Sequence, residues 1–507
     1  MSHSKTGNVL RSTLAGVGNN LALVLLGLLS RSLFLDYIGL DYLSVAQVIS
    51  NLLTVLAFTD LGIGGAVIYM LYAPVAHHDV LRVQGILYLF RRYNRYIGVA
   101  IFVLGLMLLP FLPFFIQTGV PQSEVTIIYL LNLVTSASSY FFTYRSVLFS
   151  AHQQDYLVSV LGTVVSFVRI FLQCALIYIT HSYFVFLITG LIAGTAQNAF
   201  LYIFAGRRYA ELFPLKGDGA TAELTRELRH NLFSMISVRF AGLVINNTDT
   251  LLISWIDTLI VGLCANYLMI SNQLKTLISI FHNALSHSIG IAAAEKSPEE
   301  LYFLFQKVWL CNTFLTSIVS VCLGVLWEDF IVLWIGDGYV VGADLMFAMW
   351  INFYFVLITA PLWIFRDARG LFVRVQKMLY ANAFLNLVLS IALMQVLGIS
   401  GIYLGTIAAD LLTNFWYDSC IVYHGIFLRT DAIRYQANIL EASLTVIVLV
   451  ILIKHLFISY SPTVSLWLFK LIISIFIYCG YFYLRYHRRE AFHDGIAFAT
   501  KMVRRLI

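Results

Sequence analysis

The stretch 246–275 reads NNTDTLLISWIDTLIVGLCANYLMISNQLK, and it decides the fold of this chain. Two apolar segments follow each other with almost no connection, which predicts a helical hairpin. Asp249 lies in the first segment and Lys275 in the second. A charged side chain at the centre of a bilayer costs roughly 3 kcal/mol on insertion scales, and such residues normally face a bundle interior or a wet cavity. We therefore interpret the hairpin as part of a transport site.

The composition supports a membrane location for the whole chain. Of its 507 residues, 60% are hydrophobic and only 11% are charged, whereas soluble proteins average about 25% charged residues. Apolar runs of about 20 residues recur from end to end, and each is long enough to span a bilayer as a helix. The sequence thus predicts an all-α polytopic membrane protein.

Two further features of the sequence do not indicate a functional site. The first apolar run, Leu14–Leu35, is too long for a signal peptide, so we expect it to be retained as a span. The six cysteines lie inside or at the edges of apolar runs, without paired or metal-type spacing. We interpret them as small buried hydrophobic residues and expect neither disulfides nor a metal site.

About fourteen spans are predicted, and the charges between them indicate the topology. The spans are 12–35, 41–69, 93–117, 123–147, 157–180, 182–205, 232–256, 259–289, 303–327, 341–365, 379–397, 400–423, 437–458 and 463–486. Connections after even-numbered spans are mostly rich in Arg and Lys, and those after odd-numbered spans are nearly free of them. The positive-inside rule then places both termini in the cytoplasm. The net charge of +6 is a signal of topology and not of nucleic-acid binding.

Three segments between or after spans have the pattern of interfacial amphipathic helices. They are residues 78–92, 221–231 and 487–507. Basic amphipathic helices lie on the anionic inner surface of a membrane. For 221–231, a solvated linker is an equally good interpretation.

The chain resembles itself at an offset of 218 to 221 residues. Arg145, which ends the fourth span, falls on Arg366, which ends the tenth, and Arg31 falls on Asp249. Two parallel repeats around a central site are typical of transporters. The predicted domains are an N-lobe, a cytoplasmic linker with an amphipathic helix, a C-lobe, two added spans and a basic amphipathic cytoplasmic tail. Their ranges are 1–210, 211–231, 232–428, 429–486 and 487–507.

Polar or small residues recur at helical spacing in several spans, so each set shares one helix face. Four cations stand out: Arg31, Arg169 and Lys275, which are deep, and Arg239, which lies only about two turns from the cytoplasmic end of its span. The other candidates are the polar residues Asn20, Asn51, Asn246, Asn272, Ser279, His282, Asp410 and Asn414, and the acids Asp249 and Asp60. Helix packing is the alternative role for the uncharged members, and ion pairs between spans are the alternative for the charged ones. Snorkelling of the side chain toward the cytoplasm explains Arg239 equally well.

A run of local motifs points to a family. An Arg ends span one, a Gly follows, and an acidic-Leu-Gly-Ile-Gly turn precedes a Leu-Tyr-x-Pro loop. These are Arg31, Gly39, Asp60–Gly64 and Leu71–Pro74. Together with AHQQDYL, NTDTLLISWI and GLCANYLMI at 151–157, 247–256 and 262–270, they resemble bacterial polysaccharide flippases of the Gram-positive type. Cys264 stands where the family has Tyr, and Asp257 stands where Gly is expected, which puts the local turn geometry in doubt.

The resemblance implies the multidrug/oligosaccharidyl-lipid/polysaccharide (MOP) exporter superfamily. Its fold has two six-helix lobes in a pseudo-twofold arrangement around a central cavity, here with two extra C-terminal helices. The implied cargo is a polyprenyl-pyrophosphate-linked oligosaccharide, moved across the bacterial cytoplasmic membrane by alternating access. The four cations would contact the pyrophosphate. The polar stripes, which are the sets of polar residues that share one helix face, would contact the sugars. Asp249 would pair with a cation or carry a coupling ion. Membrane lipids and a polysaccharide polymerase complex are the implied partners.

Two other functions stay open at this point. A multidrug exporter of the same superfamily, MATE-like, predicts twelve spans and an acidic cavity, and the last two spans and the deep bases count against it. A membrane polysaccharide polymerase or glycosyltransferase needs a large external loop. The longest predicted external connection, Glu328–Val340, has only about a dozen residues. We expect a transporter and not an enzyme, with no cofactor, driven by Na⁺, H⁺, the membrane potential or consumption of the cargo.

Overall fold

The computed structural model describes residues 22–57, 63–215, 217–458, 460–489 and 492–494. This described part of the chain is mostly helical and contains no strand, as the sequence predicts. Ten of its helices are long and apolar enough to cross a membrane. The described residues fall into two compact units, which divide after Gly262.

The N-terminal unit is built from the helices up to α10 and the first residues of α11. Helix α1 covers 22–37 and is followed by α2 (Leu40–Leu56), α3 (Ile63–Ala76), α4 (Val80–Leu108), α5 (Leu112–Phe115), α6 (Gln122–Thr143), α7 (Val147–Ala151), α8 (Asp155–Thr180), α9 (Tyr183–Arg208) and α10 (Ala222–Ile256). Among these, α4 packs on α6, α8 on α9, and α6 on α9.

The C-terminal unit begins within α11 (Thr258–Glu295). It continues with α12 (Pro298–Ile335), α13 (Ala343–Ile358), α14 (Ala360–Ala368), α15 (Phe372–Leu397), α16 (Ser400–Leu412), α17 (Asn414–Gly425), α18 (Ala432–Leu456) and α19 (Val464–Tyr486). The helices of both units match the fourteen predicted spans in order when spans two, ten and twelve are each counted as two consecutive helices.

Two predicted interfacial helices are instead the first turns of spanning helices. Residues 80–92 belong to α4, which has 29 residues, and residues 222–231 belong to α10, which has 35. Each start is fixed by a cap: Asp79 Oδ1 accepts from the Arg82 amide at 3.0 Å, and Thr221 Oγ1 accepts from the Leu224 amide at 3.2 Å. A capped helix continues through the interface because every further residue adds a backbone hydrogen bond. Most of the tail 487–507 lies outside the described residues.

The predicted external connection Glu328–Val340 is shorter in the structure. Helix α12 continues to Ile335, and only 336–342 separates it from α13. Gly336 ends the helix at φ 103°, a left-handed backbone that favours glycine. Gly39, one of the family motif residues, likewise joins α1 to α2 at φ 96°.

Helix α10 belongs to the N-terminal unit, which ends at Gly262. Within this unit α10 contacts α2 and α3. Division into lobes 1–210 and 232–428, which rests on the repeat, stays a prediction.

The tightest helix pair of the C-terminal unit is α15 against α16. A Cβ at Gly405 would lie 2.5 Å from the Ser390 Cα, so only glycine permits this approach. Small residues that let backbones come close are typical of membrane helix pairs. The next prominent pairs join α12 to α13, α18 and α19, which makes α12 the centre of this unit.

Candidate functional site

Two of the predicted deep cations lie in the N-terminal unit, in α1 and α8. Both Arg31 and Arg169 are half-buried. The Nη1 atom of Arg31 is buried and has no hydrogen-bond partner among the described residues. Neither side chain forms a salt bridge with a carboxylate that the structure describes.

Lys275 is the deep cation of the C-terminal unit. It lies on α11, roughly 26 Å from the first residue of that helix at 1.5 Å per residue. Its side chain is half-buried, and Nζ lies 5.9 Å from the centroid of the Phe353 ring. Within the described part of the chain no carboxylate pairs with it. The protein thus presents an ammonium group at a depth where charge is costly.

Several other charges near or within the spans are paired. The described pairs are Arg366–Asp418 at 2.7 Å, Lys454–Glu328 at 3.1 Å, Lys470–Asp329 at 2.6 Å and Arg485–Glu441 at 2.7 Å. Ionisable groups in membrane segments usually pair with one another when their role is structural. The contrast with Arg31, Arg169 and Lys275 favours a ligand-binding role for those three.

The remaining candidates of the N-terminal unit are only partly described. Asn20 and Asp60 lie outside the described residues. Arg239 and Asn246 are on α10, whose backbone is helical there, but their side chains are outside the described part. Asp249, on the same helix, is buried with 8% of its surface exposed. Asn51 on α2 is half-buried, and its Nδ2 has no described hydrogen-bond partner.

On α11, the polar stripe around Lys275 changes character along the helix. Asn272 is exposed, and Ser279 donates to the Thr276 carbonyl at 2.7 Å. His282 is buried, and its Nε2 lies 2.7 Å from Asn312 Oδ1. Asn312 in turn donates to the Leu357 carbonyl at 3.0 Å. His282 therefore has a structural partner, so the open end of the stripe is the Lys275 end.

Asp410 of α16 and Asn414, the first residue of α17, belong to a network that joins these helices to α15. Asp410 Oδ1 accepts from Asn382 at 2.8 Å and from Asn414 at 2.9 Å. Asn382 also donates to Thr413 Oγ1 at 2.7 Å, which satisfies both of its amide hydrogens. This arrangement holds the two helices together, and it leaves Asn414 Oδ1 without a described partner.

The polar residues that α15 contributes to this contact were not among the candidates predicted from the sequence. Asn382, Asn386 and Ser390 are buried and recur every four residues on one face. Asn386 donates to Thr406 at 2.8 Å and Ser390 donates to the Ile402 carbonyl at 3.0 Å. The four-residue spacing was a readable signal, because three buried polar residues on one helix face need partners on a neighbour.

An apolar groove of about 420 Å³ lies along α11, α12 and α19. Its described lining includes Leu274, Leu326, Trp327, Trp467, Leu471 and Ile475. Leu274 directly precedes Lys275 in the chain, so the groove and the deep ammonium share one helix. The lining of this groove is apolar, which suits a hydrocarbon chain.

The fold has known counterparts among solved structures. The lipid II flippase MurJ, in an inward closed conformation, superposes with a TM-score of 0.66 at 14% identity, covering 94% of this chain and all of that one. An inward-facing multidrug resistance MATE family transporter of the MOP superfamily gives 0.56 at 12% identity, covering 77% and 91%. The MATE multidrug transporter DinF-BH gives 0.56 at 15% identity, covering 80% and 93%.

This chain shares its fold with these solved transporters. No protein-family model matches the sequence. No curated protein matches it either. The shared fold confirms the all-α architecture that the sequence predicts, with helices in the described residues from α1 to α19.

Proposed function

We propose that the chain is a flippase for a lipid-linked oligosaccharide, which it moves from the inner to the outer leaflet of a bacterial cytoplasmic membrane. The observation that carries the proposal is the presence of three deep cations, Arg31, Arg169 and Lys275, that lack a described carboxylate partner. An intramembrane charge without a structural partner marks a substrate pathway. Arg239 completes the proposed set.

The chemistry of the cargo explains why cations are needed. A pyrophosphate loses its hydration when it leaves water, and unpaired charge in hydrocarbon is prohibitive. Arginine offers bidentate donors to phosphate oxygens, and lysine offers a mobile point charge. In this proposal Arg31 and Lys275 each supply a contact, so the head group stays paired while access alternates between the two sides of the membrane.

The other parts of the cargo find matching surfaces. Asn51, Asn272, Ser279 and Asn414 carry polar groups suited to sugar hydroxyls, and Asp249 is the proposed ion-coupling residue. The isoprenoid tail would lie in the groove that Leu274 and Leu471 line, next to Lys275. Membrane lipids and a polysaccharide polymerase complex are the proposed partners, and Na⁺, H⁺ or the membrane potential is the proposed source of energy.

The rival within the fold is export of organic cations. The MurJ structure supports the flippase because it covers 94% of this chain, compared with 77% for the MATE family transporter. Deep basic side chains that lack a described acidic partner also suit an anionic cargo better than a cationic one, because like charges repel in a medium of low dielectric constant.

Reconstitution tests the proposal directly. We expect proteoliposomes with the full-length chain to expose an inner-leaflet polyprenyl-pyrophosphate oligosaccharide to an added glycosidase, and protein-free liposomes to protect it. A phospholipid with a fluorescent head group, without pyrophosphate, is the matched control and stays protected. If the glycan stays protected while the proteoliposomes extrude fluorescent organic cations, the multidrug function replaces this proposal.

The proposed orientation makes its own prediction. In a variant without the native cysteines, we expect cysteines at Gly119, Asp337 and Ser461 to react with an impermeant thiol reagent from outside the cell. A cysteine at Gly217 is expected to react only after the membrane is opened. All four positions are exposed in the structure. The loops rich in Lys and Arg place Gly217 inside, and labelling of Gly217 in intact cells would reverse the topology.

A further inference from the structure

A cavity of about 350 Å³ opens at one end of the N-terminal unit, apart from the deep cations. Arg91 and Arg95 of α4 line it, together with Arg145 just after α6 and the rings of Phe141, Tyr202 and Phe213. Arg91 and Arg95 lie in the N-terminal half of α4, whereas Phe141 and Tyr202 lie near the C-terminal ends of α6 and α9. All of them are therefore at one end of the unit. The positive-inside rule assigns this end to the cytoplasm.

The charged residues that line this cavity are all positive. None of its lining residues is acidic, and Arg91, Arg95 and Arg145 form no salt bridge with a described carboxylate. Three guanidinium groups around one cavity repel each other, and water screens the half-buried Arg91 and Arg145 less than an exposed group such as Arg95. An anion that bridges them removes this cost.

Arg145 is held in a fixed position. Its Cζ lies 3.8 Å from the centroid of the Tyr202 ring and 4.2 Å from that of Phe213, so the guanidinium is held between two rings. Its Nη1 donates to the Tyr202 carbonyl at 3.2 Å, and its Nε donates to the Tyr144 hydroxyl at 3.1 Å. A guanidinium fixed in this way loses little freedom when it binds an anion, which is the condition for selective recognition of phosphate.

The equivalent position in the second half of the chain behaves differently. Arg366, on which Arg145 falls in the repeat, pairs with Asp418 at 2.7 Å and with Asp367 at 2.9 Å. That arginine is neutralised within the protein. The N-terminal unit keeps the arginine but supplies no described acid, so its positive charge is available to a ligand.

We infer that this cavity binds the phosphate head group of an anionic membrane lipid from the inner leaflet. A lipid is favoured over soluble phosphate because the same helices present apolar surface beyond the cavity. Phe141, which lines the cavity, is 43% exposed, as are Val99 at 54% and Phe200 at 52%. Acyl chains would cover this surface while the head group contacts the arginines. Basic pockets between spans on the cytoplasmic side are suited to lipid head groups.

The test uses the full-length protein in detergent and reads lipid binding, so its outcome is independent of transport. Phosphatidylglycerol, phosphatidylcholine and inorganic phosphate are added separately, and binding is measured by native mass spectrometry and by the shift in Tm. We expect phosphatidylglycerol to bind and raise the Tm, and the other two probes to have little effect.

The variant Arg91→Gln/Arg95→Gln is expected to bind phosphatidylglycerol about 30-fold more weakly, at roughly 1 kcal/mol per arginine. Arg145 stays unchanged because it also holds Tyr144 and Tyr202 in place. Arg207→Gln is the matched control, since Arg207 is exposed on α9 and does not line the cavity. It is expected to retain wild-type affinity.

Three outcomes would overturn the inference. The first is equal affinity for phosphatidylglycerol in the double variant and the Arg207→Gln control. The second is equal binding of phosphatidylcholine and phosphatidylglycerol by the wild type. The third is stabilisation by inorganic phosphate alone, which would assign the cavity to a soluble phosphate compound.

Discussion

Lys470→Met is expected to lower the free energy of unfolding by about 3–5 kcal/mol, the range for removing one partner of a buried ion pair. Lys470 Nζ lies 2.6 Å from Asp329 Oδ2, and the two side chains are only 8% and 16% exposed. Without the ammonium, Asp329 would remain buried beside apolar residues of α12 and α19. The expected result is a lower Tm and less folded protein in detergent.

The neighbouring pair provides a matched control. Lys454 pairs with Glu328 at 3.1 Å, but its side chains are 34% and 46% exposed. Lys454→Met is therefore expected to cost no more than about 1 kcal/mol. The double variant Lys470→Met/Asp329→Leu should recover most of the lost stability, because no unpaired charge remains. Equal effects of Lys470→Met and Lys454→Met would show that burial does not set the strength of these pairs.

Lys275→Gln and Arg31→Gln are each expected to reduce glycan export by roughly 10-fold or more, since a charge-assisted hydrogen bond is worth ~1.5–3 kcal/mol. Neither residue has a described carboxylate partner, so neither change leaves a described acid unpaired. The amount of protein in the membrane should stay near the wild-type level. The measurement is restoration of export in a strain that lacks its own flippase.

Two further variants sharpen this experiment. Lys275→Arg should retain part of the activity, because a transient contact depends more on charge than on shape. Lys377→Gln removes an exposed lysine of α15 and should export normally. Loss of both Gln variants from the membrane would favour a structural role for Arg31 and Lys275, and normal export by both would remove them from the mechanism.

Span positions and the fold were predictable because apolar runs of fixed length are a one-dimensional signal. The helix starts at Asp79 and Thr221 were not predictable, although both are good capping residues. A basic amphipathic segment has the same sequence pattern whether or not it continues into a span. The deep positions of Arg31 and Lys275 were also readable from the sequence.

Pairing was the part that the sequence could not provide. The sequence marks Lys470 and Asp329 as charged, but their contact joins residues 141 positions apart. His282 was a candidate for binding sugar, and only the structure shows that Asn312 is its partner. The spacing of polar residues in the sequence indicates which of them share one helix face. Their hydrogen-bond or ion-pair partners depend on which neighbouring helix packs against that face.

The pairing of Lys470 with Asp329 also has a consequence for synthesis of the chain. Asp329 and Glu328 leave the ribosome 141 and 126 residues before the lysines that neutralise them. At 5–20 residues per second, α12 waits roughly 6–30 s for its partners. During that interval the C-terminal end of α12 carries two uncompensated carboxylates, which we expect to stay at a polar interface until α18 and α19 are made.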